Sequence, residues 1–176
     1  MHLKISSSKV QSKMKKIYIA GPDVFEQDSI EIGKKLVTIC STYGYEGLYP
    51  LDNVVDFTQD KHKIAKDIFD ANAAMIRSAD IVIANLNSFR GKEADSGTVW
   101  ECGYAYALGK KVYGYMDREG CYIDQFDVKR ESDGMFWDEK DRFIEDFDHS
   151  INLMIACSCL KIIHGTFEDV LKNILH

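Results

Sequence analysis

Residues 80–86 read DIVIANL, and this short segment decides which class of fold the chain can adopt. Its apolar residues are nearly uninterrupted, so both faces of the strand that it predicts must be covered by other parts of the chain. Strands of this kind are typical of parallel sheets, because the crossover helices between parallel strands lie on both sides. The segment therefore indicates an α/β protein with a central strand at 80–86.

Strand-like and helix-like patterns alternate on either side of this segment, which predicts a single α/β domain with a five-stranded parallel sheet and helices on both faces. Short β-rich runs predict the strands, and apolar residues at helical spacing predict the helices. The predicted strands are 16–22, 45–51, 80–86, 111–116 and 160–163, and the predicted helices are 28–42, 61–78, one beginning at Thr98 and one capped by Thr166.

The length of 176 residues, with 45% hydrophobic and 28% charged residues, suits one globular domain. We expect residues 1–15, which are polar and lysine-bearing, to be a flexible leader, and residues 16–176 to form the domain. Residues 117–148 carry 12 acidic and 5 basic side chains, so residues 117–150 are predicted to be an acidic excursion. Its aromatic residues, such as Trp137, predict that it packs against another surface.

Charge and cysteine content argue against several classes of function. The net charge of -6 argues against a nucleic-acid partner, which would need a basic surface. No apolar run approaches the roughly 20 residues of a membrane-spanning helix, so no membrane partner is predicted. The five cysteines form no CxxC pair and the five histidines are scattered, so neither a metal site nor a disulfide framework is indicated. A reducing, cytoplasmic location is expected.

Polar side chains gather in the segments that follow the predicted strands, which meet at the ligand-binding edge of a parallel sheet. These segments contain no GxGxxG, GxxxxGK[ST] or GxSxG pattern, so dinucleotide, triphosphate and serine-hydrolase sites are not indicated. Carboxylates at such an edge suit glycosidic-bond chemistry, in which one of them attacks or stabilises the anomeric carbon. The residues concerned are Asp23, Asp52, Asn53, Asn85, Asn87, Asp95 and Glu101.

Two of the polar residues have alternative interpretations. Thr98 resembles a helix N-cap with Glu101 three residues later, so Glu101 is either a capping-box residue or a nucleophile that the helix dipole keeps ionised. Asn72 lies on the apolar stripe of the second predicted helix, where an unpaired amide would cost about 1–3 kcal/mol. It is therefore either a structural amide with partners or a ligand contact.

Several motifs, found in the same order, resemble those of the nucleoside 2-deoxyribosyltransferase family. The most specific is DSGTVWECGYAYALGK at 95–110, accompanied by IYIAGP at 17–22, PLDN at 50–53 and NLM at 152–154. The resemblance extends from about residue 16 to residue 155. It implies a flavodoxin-like domain without a metal or organic cofactor. The implied reaction, a step of nucleoside salvage, moves 2-deoxyribose between nucleobases through a covalent glycosyl-enzyme intermediate.

The same resemblance implies roles for individual residues. Glu101 would be the nucleophile, Tyr18 would orient it by a hydrogen bond, and Asp95 would hold the sugar hydroxyls. Asn152 would reach the active site of a neighbouring subunit, which implies a dimeric or hexameric homo-oligomer. Deoxyribonucleosides and free nucleobases are the implied substrates. The further predicted substrate-binding positions are Gly21, Pro22, Asp52, Asn72, Ser96 and Gly97.

Two positions depart from the family pattern, and two other functions fit the residues. Asn72 stands where some members have an Asp proposed to handle protons on the base, and Val54 where some have a base-contacting glutamine, which leaves base protonation and base specificity open. A 2'-deoxynucleoside 5'-phosphate N-hydrolase would need a phosphate site, for which Ser88 and Ser96 are the candidates. A nucleoside-binding module without turnover would have no need of an attacking carboxylate.

Overall fold

The computed structural model describes residues 13–53, 55–131 and 134–174. The strands are β1 (Lys16–Ala20), β2 (Glu46–Leu48), β3 (Ile81–Asn85), β4 (Lys111–Met116), β5 (Lys129–Arg130), β6 (Phe136–Trp137), β7 (Phe143–Ile144) and β8 (Lys161–His164). The α-helices are α1 (Ser29–Thr42), α2 (Lys61–Ser78), α3 (Ser96–Ala107), α4 (Leu153–Ala156) and α5 (Phe167–Ile174).

Five parallel strands form the main sheet in the order β2-β1-β3-β4-β8. This is the strand order of a flavodoxin-like domain, so the predicted fold class is confirmed. β1 lies in the sheet between β2 and β3, so the chain first adds a strand on one side of β1 and then continues on the other side. β1 and β3 pair directly, with Tyr18 opposite Val82. Ligands in such folds bind beyond the carboxyl ends of the strands at this switch point.

The central strand β3 is covered on both faces, as the DIVIANL segment predicts. Successive side chains of a strand point to opposite faces. Ile81 and Ile83 accordingly pack on the side of α1 and α5, whereas Val82 and Ala84 pack on the side of α2 and α3. All four are at most 3% exposed, which places them in two separate cores with the sheet between them.

Several predicted elements have different boundaries in the structure. The second strand is only three residues long, because Pro50 begins a 3₁₀ turn in place of the predicted extension to residue 51. The apolar stripe predicted for α2 is only partly buried. Ala79 is buried in the core beside the sheet and Met75 packs against it, whereas Ile68 is 37% exposed. The end of the stripe that carries Ile68 thus lies outside the core.

The acidic excursion folds into the antiparallel sheet β5-β6-β7. Within it, the Asp138 carboxylate is 7% exposed and is held by the backbone N–H of Arg142 at 2.9 Å and by its guanidinium. Trp137 packs edge-on against Phe143. The predicted strand after the excursion begins one residue later than expected, and the apolar segment at residues 152–155 contributes the short helix α4.

Most of the predicted leader lies outside the described residues, and residues 13–15 directly precede β1. Among the helices in the described ranges, none is both long and apolar enough to cross a bilayer.

Candidate active site

A cavity of about 520 Å³ opens at the carboxyl edge of the sheet, beside β1 and β3. Its size is that of a small-molecule site, and its lining is mainly apolar with a few convergent polar groups, the usual character of such sites. The apolar lining is Val24, Phe25, Ile30, Pro50, Leu51, Val55, Phe57 and Ile68. The polar and glycine lining is Gly21, Asn53, Asn72, Asp95, Gly97, Thr98 and Glu101.

Tyr18 and Glu101 form a hydrogen-bonded pair at the base of this cavity. Tyr18 is fully buried on the face of β1 that packs against α3, and its hydroxyl donates to Oε1 of Glu101 at 2.5 Å. Burial raises the pKa of Glu101 to about 7, an increase that the Tyr18 hydrogen bond opposes and the charge of Asp95 reinforces. Burial and the Glu101 charge also hold the pKa of Tyr18 far above its ordinary value. The tyrosine therefore keeps its proton, and Glu101 titrates near neutrality.

The capping interpretation of Glu101 is wrong. Asp95, and not Thr98, is the N-cap of α3, because Oδ2 of Asp95 accepts from the backbone N–H of Thr98 at 2.9 Å and from its hydroxyl at 3.0 Å. Glu101 lies a turn further along, and its side chain turns toward Tyr18 and the cavity. Asp95 also lines the cavity, and no hydrogen bond from a described residue reaches its Oδ1.

Gly21 and Pro22 shape the wall of the cavity next to β1. A Cβ atom on Gly21 would lie 2.9 Å from Cβ of Asn85 and would also meet the Asp23 carboxylate, so a side chain cannot be accommodated there. Pro22 is buried at the start of the 3₁₀ turn Pro22–Phe25 and does not itself line the cavity. Asn85 in turn donates to Oδ2 of Asp23 at 2.9 Å, which ties the ends of β1 and β3 together.

Other predicted site residues lie outside the cavity lining. Asp52 is exposed and accepts from the backbone N–H of Tyr49 at 3.2 Å, so it stabilises the turn that places Pro50 and Asn53. Ser96 is exposed at the first turn of α3, and the Ser88 hydroxyl donates to the carbonyl of Lys92 at 3.0 Å. These two serines thus do not line the cavity that contains Glu101.

Asn152 does not line the cavity of its own chain either. It is the N-cap of α4, where its Oδ1 accepts from the Met154 N–H at 3.0 Å. Its Nδ2 donates to Oε2 of Glu145 at 3.1 Å, and the other oxygen of that carboxylate accepts from the Leu153 N–H at 2.5 Å. The excursion therefore fixes the Asn152 amide, and Met154 beside it is 73% exposed.

Except for Leu51, which belongs to the PLDN motif, the apolar rim of the cavity comes from segments that the motifs did not single out. Phe25, Leu51, Phe57 and Ile68 form an apolar rim, and each is at least 37% exposed. Ile68 lies one helical turn before Asn72, so its place on the apolar stripe predicted for α2 could have indicated that it lies beside Asn72 in the cavity. The loop at Phe57 carries no periodic pattern from which its position could have been predicted.

The nucleoside 2-deoxyribosyltransferase family model matches residues 17–154. The chain belongs to this family. The match confirms the resemblance of the sequence motifs, and it covers the strands and helices that line the cavity. Family membership indicates an enzyme of the deoxyribosyltransferase type.

The chain is also similar to two solved structures and to one further protein. A 2-desoxiribosyltransferase from Leishmania mexicana shares 29% identity and a TM-score of 0.72, over 92% of this chain and 98% of that chain. A 2-deoxyribosyltransferase from Bacillus psychrosaccharolyticus, at 23% identity and a TM-score of 0.59 over 89% and 90% of the two chains, shows the same fold. An uncharacterized protein of Schizosaccharomyces pombe is 31% identical over 116 residues, which are 64% of this chain and 55% of the yeast protein.

Proposed function

We propose that the protein transfers 2-deoxyribose between nucleobases of 2'-deoxyribonucleosides, with Glu101 as the nucleophile. The observation that carries this proposal is the Tyr18–Glu101 pair at the base of a nucleoside-sized cavity. A carboxylate fixed by a neutral donor has one oxygen free to attack, and its raised pKa shows that the site disfavours a resting charge. Bonding to the sugar removes that buried charge.

In the first step, a Glu101 oxygen attacks C1' of the bound deoxynucleoside from the face opposite the base. The C1'–N bond breaks, its electron pair leaves with the base, and a glycosyl ester forms. Asp95 would hold sugar hydroxyls, a role supported by its place in the cavity lining and by its Oδ1, which does not take part in capping α3. In the second step, a nitrogen of the acceptor base attacks C1', the Glu101 carboxylate leaves, and the N–H proton of the acceptor base passes to water. Two inversions give net retention.

We further propose that the active site is completed by a second copy of the chain in a homo-oligomer. Asn152 is held in a fixed orientation by Glu145 and the Met154 N–H, beside the exposed Met154, and it does not line its own cavity. The cavity in turn has an exposed apolar rim that includes Phe25 and Phe57. Contact between these two surfaces would bring Asn152 to the sugar of the neighbouring site, and symmetry would complete both sites at once.

Incubation of the protein with deoxyinosine and adenine is expected to give deoxyadenosine and hypoxanthine, which chromatography separates. Release of base from deoxynucleoside 5'-monophosphates at a faster rate would instead indicate the N-hydrolase. Thermal stabilisation by deoxynucleosides without any product would indicate a binding module and would contradict the proposed reaction.

The pH dependence of this exchange should follow the ionisation of Glu101. Because burial raises its pKa to about 7, the reactive carboxylate is lost as the pH falls below that value. We expect kcat/KM to reach a plateau above pH 7 and to fall about tenfold per pH unit below it. The measurement is the initial rate at low substrate concentration in buffers of constant ionic strength. A plateau extending down to pH 5 would contradict the assignment.

A mixture of two inactive variants tests the shared site. Glu101→Ala removes the nucleophile, and Asn152→Ala removes the residue that each copy lends to its neighbour. Mixed oligomers contain sites with an intact Glu101 from one copy and an intact Asn152 from the other, so a refolded equimolar mixture should recover about a quarter of wild-type activity. If Asn152 acted within its own chain, no mixed site would be intact and activity would remain at the level of the variants.

A further inference from the structure

An amide of the loop after β2 fixes the orientation of Asn72 within the cavity. Nδ2 of Asn53 donates to the carbonyl of Pro50 at 3.0 Å, to Oδ1 of Asn72 at 3.2 Å and, more weakly, to Sδ of Met75 at 3.6 Å. Both asparagines line the cavity that contains Glu101. Asn53 therefore connects the backbone of the turn to the side chain of Asn72 on α2.

The Pro50 carbonyl determines the direction of this hydrogen-bond chain. A carbonyl oxygen can only accept, so Asn53 must turn its Nδ2 toward Pro50. The same nitrogen then donates to Asn72, which must turn its Oδ1 toward Asn53. Nδ2 of Asn72 is left pointing away, and it donates to no group in residues 13–53, 55–131 or 134–174. Since Asn72 is half-buried in the cavity wall, these N–H groups are available to a bound ligand.

We infer that Asn53 orients Asn72 so that Asn72 offers the departing nucleobase amide N–H donors and no acid, and that the protein favours bases able to leave as anions. This inference rests on the proposed deoxyribosyl transfer. Asn53 is a positioning residue in it, and Asn72 is the residue that contacts the base. The preferred bases carry a hydrogen-bond acceptor at the edge that faces Asn72 and have a comparatively acidic N–H, as 6-oxopurines do relative to adenine.

The chemistry of bond cleavage explains the preference. When the C1'–N bond breaks, the electron pair remains on the base nitrogen while a Glu101 oxygen bonds to C1'. An amide cannot transfer its proton at neutral pH, but its N–H groups stabilise the negative charge that develops on the base. Water supplies the proton after the base has left. The barrier therefore depends on how well the base itself carries that charge.

Single-turnover release of base from a series of 6-substituted purine 2'-deoxyribosides tests the inference, with no acceptor base present. For the wild type, the release rate should fall roughly three- to tenfold for each unit by which the pKa of the N–H group of the departing base is higher. Asn72→Asp, compared with the wild type at the same pH, should show a much weaker dependence, because a carboxyl group can donate a proton to the departing base.

Asn53→Ala and Asn53→Asp test the positioning role. Alanine removes the donor, and aspartate keeps the size but has no N–H for Pro50 or Asn72. Each variant should slow base release by about tenfold across the series, the loss expected when one orienting hydrogen bond disappears. The steep dependence on base acidity should persist, because Asn72 is still not an acid. The melting temperature of each variant identifies any loss that is due to unfolding.

The outcomes separate this inference from the proposed function. An absence of any base release or exchange by the folded wild type would overturn both. Exchange with a rate that does not depend on base acidity, or that is unchanged in both Asn53 variants, would overturn the inference alone and leave deoxyribosyl transfer intact.

Discussion

Glu101→Gln is expected to lower the rate of base exchange by about 10⁴-fold or more, the usual effect of removing a covalent nucleophile. Glutamine has nearly the shape of glutamate, and its side-chain oxygen can still accept the hydrogen bond from Tyr18. The cavity should therefore bind deoxynucleosides as before, and the loss should appear in kcat. The rate of base release in the absence of an acceptor should fall by the same factor.

The same substitution should stabilise the fold above neutral pH. Between pH 4.5 and about 7, the folded protein retains a proton on Glu101 that the unfolded chain has released, because burial raises the folded-state pKa. Stability is consequently lost as the pH rises through this window, by roughly 3 kcal/mol in total. Glutamine carries no charge, so the variant should be more stable than the wild type by about that amount at pH 8 and equal to it near pH 4.5.

Urea denaturation of both proteins at pH 4.5 and pH 8 measures this difference. Glu31→Gln is a suitable control, because Glu31 lies on the surface of α1, where its side chain is 72% exposed and pairs with Lys34. That variant should retain wild-type activity and show no such pH-dependent gain in stability. Full exchange activity in Glu101→Gln would exclude a glycosyl-glutamate intermediate.

Tyr18→Phe should have the second largest effect, and one that depends on pH. The Tyr18 hydroxyl lowers the pKa of Glu101, so its removal moves the acid limb of kcat/KM to above pH 7. A hydrogen bond to a charged group contributes about 1.5–3 kcal/mol, which corresponds to roughly a 10- to 100-fold loss at pH 6. At a pH well above the raised pKa of the variant, Glu101 is ionised in both proteins, so the remaining loss reports only the orientation of the carboxylate.

Tyr43→Phe provides a matched control for this prediction. The Tyr43 hydroxyl also donates to a glutamate, Oε1 of Glu168, at 2.9 Å, but neither residue lines the cavity. Its removal should leave the pH profile of exchange unchanged. If Tyr18→Phe lost the same factor at every pH, the hydroxyl would act only in positioning and not on the ionisation of Glu101.

The elements of the main sheet followed closely from the sequence because their signals are local. Residues 80–86 could only be a strand covered on both sides, and the helix over 61–78 has the boundaries that its pattern predicts. Motif order likewise identified Tyr18 and Glu101, which lie 83 residues apart in the chain and within hydrogen-bond distance in the fold. The antiparallel sheet of the excursion was not predicted, because its strands are two residues long and carry no alternation.

The sequence by itself determined the class of the fold, the order of its strands along the chain and the family motifs that contain Glu101, since hydrophobic periodicity and motif spacing are properties of the chain. Only the tertiary structure excluded the capping role of Glu101. The spacing of Thr98 and Glu101 suits a capping box, but in the folded chain the carboxylate of Asp95 caps the helix instead. With the cap supplied, Glu101 is free to meet Tyr18 from a strand that the sequence places far away. Burial beside that tyrosine, a consequence of packing alone, then sets the pKa on which the proposed chemistry depends.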